Sequence, residues 1–137
     1  MNHWLVKSEP VKYAWDQLVK DGKTFWNGVR NYQAANNLKA MKKGDEAFFY
    51  HSNEGLEIVG ICEIAKEYYP DHTDESGKFG MVDVKPSRPL KTPVTLQAIK
   101  AEPALADIAL IKQSRLSVMP ITAAQWKLIC KMGGVKP

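Results

Sequence analysis

The segments "DEAFFYHS" (45–52) and "LEIVGICEIAKEYY" (56–69) constrain this chain most. Both are dense in β-branched and aromatic residues, and only Asn53-Glu54-Gly55 parts them. Two such runs joined by a short turn predict a β-hairpin. "PDHTDESGKFG" then reads as a polar loop and "MVDVKPSRPL" as a returning strand. At the front, "HWLVKS" (3–8) is a short strand that stops at Ser8, because Pro10 biases Glu9 away from helix. Several strands with apolar residues on both faces predict a closed or nearly closed barrel.

Helices fill the remainder. In "AWDQLVKDGK" the residues Trp15, Leu18 and Val19 fall at i, i+3 and i+4, and Gly22 supplies a stop. "NYQAANNLKAM" places Ala34, Leu38 and Met41 on one face. Residues 25–30 become a loop feeding that helix, whose first backbone N–H groups favour an anion or a carbonyl oxygen. "TLQAIKAEPALADIAL" holds short helical pieces broken at Pro103. In "SVMPITAAQWKLICKMGG", Thr122 and Gln125 form a capping box, and Trp126, Ile129 and Cys130 make an apolar face that packs on the barrel. No repeat or linker divides the 137 residues, so residues 1–137 are expected to be one α+β domain.

Lys and Arg number 19 against 15 Asp and Glu, a formal charge of +4, which permits a polyanionic partner without requiring one. Cys62 and Cys130 are far apart, with no C-x-x-C pair, and read as reduced core residues. No apolar run approaches a membrane span, and no signal-peptide pattern opens the chain, so a cytoplasmic protein is expected. The compact chain without extensions fits a bacterial stand-alone domain, expected to be monomeric.

Catalysis finds little support. Ser8, Ser52, Ser114 and Ser117 with His3, His51 or His72 offer no G-x-S-x-G elbow. The cluster Asp71, His72, Asp74 and Glu75 lacks calcium-loop spacing and reads as a solvated hairpin tip. No nucleotide-phosphate motif is present, and no metal or other cofactor is expected.

"FWNGVRNYQAANN" (25–37) is different. It packs an aromatic pair, a glycine, an arginine and four asparagines into thirteen positions. Trp26 beside Gly28 offers a flat face where backbone can come close, while Asn31, Tyr50, Ser52 and Ser117 can read the edge of a heterocycle. Trp4, Trp15 and Trp126 are core residues by their positions, whereas Trp26 divides evenly between core and site. Alternation in "AFFYHS" sends Phe48, Tyr50 and Ser52 to one face and Ala47, Phe49 and His51 to the other, with the pocket face open. Arg30 and Arg115 suit either a phosphate or an internal salt bridge.

"HWLVKSEP", "FWNGVRNYQAANNLKAMKKGD", "FFYHS", "IVGICEI" and "QSRLSVMPIT", in this order and with these gaps, resemble the EVE domain family from end to end. The resemblance implies a PUA-like mixed β pseudo-barrel flanked by short α-helices, related to the YTH domain. It also implies a non-catalytic reader of a modified nucleobase in DNA or RNA, with 5-modified cytosine as the leading candidate. The family's motifs fall on Lys7, Ser8, Glu9 and Pro10; on Trp26, Gly28, Val29, Arg30 and Asn31; on Tyr50, His51 and Ser52; and on Ser114, Arg115, Leu116 and Ser117. Asn27 and Ala35 stand where an acid and an arginine are expected.

On that reading, Trp26 and Tyr50 stack on a base taken from a single strand or flipped from a duplex. Ser8, Asn31, Ser52 and Ser117 address its edge, with Gly28, Val29 and His51 beside them. Lys7, Arg30, Lys39, Lys42, Lys43, Arg88, Lys112 and Arg115 hold the nucleic-acid backbone. Burying one methyl contributes about 0.8 kcal/mol, roughly a fourfold preference, so a methyl pocket alone discriminates weakly. The alternatives are a PUA-like accessory protein for transfer or ribosomal RNA, an enzyme acting on modified nucleobases, and a protein-interaction module.

Overall fold

A computed structural model describes residues 1–137. Its strands are β1 (His3–Ser8), β2 (Thr24–Phe25), β3 (Glu46–His51), β4 (Glu57–Pro70), β5 (Gly80–Thr95) and β6 (Val118–Ile121). The helices are α1 (Trp15–Asp21), α2 (Tyr32–Ala40), α3 (Leu96–Ala101), α4 (Ala109–Lys112) and α5 (Ala123–Met132), with a 3₁₀ turn at Pro103–Leu105. The six strands form one mixed sheet in the order β2-β5-β4-β3-β1-β6. Only β1 and β3 run parallel.

The expected hairpin is β3–β4, and the long strands bend it. Register shifts interrupt β4–β5 at four places, and bulges of this kind increase twist and curl a sheet. The curl does not close through hydrogen bonds, since β2 and β6 are edges that do not pair with each other. Helix α2 packs against both β5 and β6, and Asn37 Nδ2 donates to the Val118 carbonyl at 2.7 Å. The result is a pseudo-barrel whose open side is partly spanned by a helix.

Trp126 on α5 lies against His3 and Phe48, with ring centroids 4.2 and 4.0 Å away. The capping box that starts α5 is formed by Thr122 and Gln125, as the sequence predicts. Below the opposite face, Trp15 meets Phe49 edge-on at 5.5 Å. Helix α1 departs from expectation at Val19, which is 53% exposed while Trp15 and Leu18 are buried. The seat of Trp15 explains the roll: an added Cβ at Gly60 would stand 2.5 Å from its ring. Gly60→Ala is therefore expected to destabilise the fold by about 1–3 kcal/mol through overpacking, seen as a lower urea midpoint at unchanged slope.

Candidate functional site

The end of β1 gathers three segments that are remote in sequence. Ser8 Oγ donates to the Tyr13 carbonyl at 2.6 Å, the Lys7 N–H to the Ser117 carbonyl at 3.0 Å, and the Ser52 N–H to the Ser8 carbonyl at 2.9 Å. Between these segments and residues 24–31 lies a cleft of about 830 Å³. It occupies the gap where the sheet fails to close, with β2 on one side and the segment preceding β6 on the other. That volume lies in the range of pockets for drug-sized ligands and has room for a heterocycle with its sugar.

The Trp26 wall is held from outside by a carboxylate. Asp71, with a fully buried side chain, accepts from the Gly28 N–H at 2.8 Å and from Arg30 Nη1 at 3.0 Å through Oδ2. Its Oδ1 accepts from the Thr73 N–H at 2.7 Å and from Thr73 Oγ1 at 2.6 Å, while Arg30 Nη2 donates to Thr73 Oγ1. Gly28 adopts φ +83°, a left-handed turn that glycine enters without strain. Burial by itself raises the Asp71 pKa, but the donated bonds from Thr73, Gly28 and Arg30 prevail and hold the carboxyl well below its ordinary range. Asp71 is thus no solvated tip: it joins the 71–79 loop to the cleft wall, and Arg30 makes the internal ion pair that its sequence context left open.

Asn31 caps α2, its Oδ1 accepting from the Ala34 N–H at 2.9 Å, so one of the N–H groups at that helix start is already satisfied. Trp26 is only 8% exposed and meets Phe49 edge-on at 5.6 Å. It is both core residue and cleft wall. Lys7 Nζ donates to the Ser114 carbonyl at 2.8 Å, and burial lowers its pKa. Neither Lys7 nor Arg115 has a carboxylate within ion-pair distance, whereas Glu9 is engaged by Lys12 and Asn53. The cleft therefore carries uncompensated positive charge. The hydroxyls of Ser52 and Ser117 line it and make no hydrogen bond within the chain.

Ten of the residues singled out in the sequence come together here: Lys7, Ser8, Trp26, Gly28, Val29, Arg30, Asn31, Ser52, Arg115 and Ser117. The others stand apart. Tyr50 is buried beside Lys7, whose Nζ is 5.9 Å from its ring centroid. His51 Nε2 accepts from the Trp15 N–H at 3.1 Å, supplying the start of α1 with a cap that Ala14 lacks. Lys39 lies over the Tyr68 ring, Arg88 pairs with Glu46, and Lys112 approaches Asp107. Lys42 and Lys43 occupy the turn between α2 and β3. Asn27 lines the cleft, while Ala35 is buried in α2. Phe25, Lys12 and Ser114 also line it, and together with Asp71 were not among the expected site residues.

The curled mixed sheet, with a polar cleft in its open side walled by Trp26, has a PUA-like fold. The YTH domain of the Zygosaccharomyces rouxii MRB1 protein shares the fold at 18% identity, with a TM-score of 0.63 over 99% of this chain and 88% of that one. The chain belongs to the EVE domain family, whose profile matches residues 2–132. It is 38% identical to human thymocyte nuclear protein 1 over 99% of its own length and 76% of that protein. Rpa0253 from Rhodopseudomonas palustris is 62% identical, with a TM-score of 0.93 over 98% of this chain and 94% of that one. The human THYN1 protein, in complex with 5-methylcytosine containing DNA, superposes with a TM-score of 0.92 at 37% identity, covering both chains fully.

Proposed function

We propose that this chain is a non-catalytic reader that binds a modified nucleobase, a 5-modified cytosine, of DNA or RNA in the cleft beside Trp26. The observation that carries the reading is the cleft itself: a prebuilt wall, unengaged Ser52 and Ser117 hydroxyls, and cations without counter-charges. The relative bound to 5-methylcytosine containing DNA, matched over the full length, supports the choice of ligand. The non-catalytic part rests on chemistry. None of the three histidines lines the cleft, and burial raises the Cys62 thiol to about 12 and the Cys130 thiol to about 11. Two buried free thiols also favour a reducing, cytoplasmic setting. No helix is long and apolar enough to cross a membrane.

Because one methyl contributes only about fourfold, selectivity has to come from the polar edge. Ser117→Ala is expected to lower affinity for the preferred base by roughly 2- to 12-fold, the span of one net hydrogen bond, with the fold intact. The deciding experiment measures binding of short DNA and RNA oligonucleotides carrying cytosine, 5-methylcytosine, 5-hydroxymethylcytosine, adenine or N6-methyladenine. A preference of about tenfold or more for one mark over its bare base supports the reading. Equal, weak binding governed only by salt sinks it. A preference for RNA without regard to modification favours an RNA-binding accessory role, and turnover of the nucleoside an enzyme.

A further inference from the structure

Phe25 and Trp26 are adjacent in an extended segment and both line the cleft, but they differ in burial. Trp26 is 8% exposed against the core; Phe25 is 46% exposed at the cleft. Isolated exposed apolar residues are ordinary on a protein surface. Met1, Val11, Val19, Tyr32 and Leu56 are exposed too but line no part of this cleft, whereas Phe25 does. It also has fixed neighbours. Its backbone pairs with Asp83 of β5, and its ring meets His72 edge-on, centroids 4.7 Å apart at 88°. His72 sits on the loop that Asp71 ties to the cleft wall.

An exposed aromatic ring on a cleft that the uncompensated Lys7 and Arg115 also line matches one kind of occupant: a polyanionic strand that carries flat bases on either side of the one being read. We propose that Phe25 stacks on the nucleobase adjacent, in the same strand, to the base held in the cleft. The chain then binds a modified base more tightly within a strand than as a free nucleoside. This rests on the reader function above and adds to it a second, sequence-tolerant contact.

The test compares wild type with Phe25→Ala on three probes, with a cytosine-centred pentadeoxynucleotide added for wild type. The three are a single-stranded pentadeoxynucleotide with central 5-methylcytosine, the same strand with abasic sites flanking that base, and free 5-methyl-2′-deoxycytidine. Phe25→Ala is expected to weaken the first by at least about fivefold and to leave the other two unchanged, with Phe25→Tyr restoring the loss. Unchanged affinity for the first probe, or an equal loss on all three, overturns the assignment. Failure of the reader function shows separately, as equal wild-type affinity for pentanucleotides centred on cytosine and on 5-methylcytosine. The comparison of intact with abasic flanks then still decides Phe25. Absence of wild-type binding to every probe overturns both.

Discussion

Asp71→Asn is expected to lower unfolding stability by about 2–3 kcal/mol and to weaken ligand binding through the Trp26 wall. The amide keeps one acceptor and presents its NH₂ to donors on the other side. Either Gly28 N–H and Arg30, or the two Thr73 donors, then lose their partner. Leaving one partner of a buried ion pair costs about 3–5 kcal/mol, but Arg30 retains 39% side-chain exposure and water offsets part of that. Because these bonds fix the geometry of residues 26–31, a change in tryptophan emission, to which Trp26 is one of four contributors, should accompany the loss. A stability loss with unchanged emission and unchanged oligonucleotide affinity would reduce Asp71 to a remote structural residue.

The same carboxylate sets a pH dependence. Its native pKa is depressed, so the unfolded chain binds the proton first as pH falls. The stabilisation is complete above the unfolded value of about 3.9 and is lost as pH drops below that toward the native value. Wild type and Asp71→Asn should therefore differ most at neutral pH and converge in acid, a comparison that urea unfolding at pH 7 and pH 3 measures directly.

Local sequence carried the elements well because their signals are local. The turn Asn53-Glu54-Gly55, the Thr122 and Gln125 cap and the apolar spacing of Ala34, Leu38 and Met41 each specify structure within a few residues. What escaped is what depends on distance along the chain. Asp71 meets Gly28 across 43 positions, and only its Asx-type bonds to Thr73 are visible nearby. Strict alternation also fails to locate the pocket face of β3. Register shifts between Phe49 and Tyr50, and Ser52 leaves the strand for the turn, so Ser52 reaches the cleft while Tyr50 stays buried. The motif residues came together because they cluster at the end of β1 and in the loop before α2. The lysines at 39, 42, 43 and 112 stand out in the sequence by charge alone, which says nothing about where a side chain lies.

Trp26→Ala is expected to cost about 3–5 kcal/mol in stability, because it removes a nearly buried indole from contact with Phe49. Set against a typical total of about 5–15 kcal/mol, that loss is large enough to unfold much of the protein at working temperature. Loss of binding in this variant therefore cannot distinguish a stacking face from a collapsed wall. Trp26→Phe separates them, since phenylalanine keeps an aromatic ring against Phe49 and removes less volume. If the indole forms the floor on which a base rests, Trp26→Phe should remain folded by urea titration yet bind the preferred oligonucleotide at least about fivefold more weakly. If its affinity equals that of wild type, the larger indole face adds nothing to binding beyond what a phenyl ring at this position supplies.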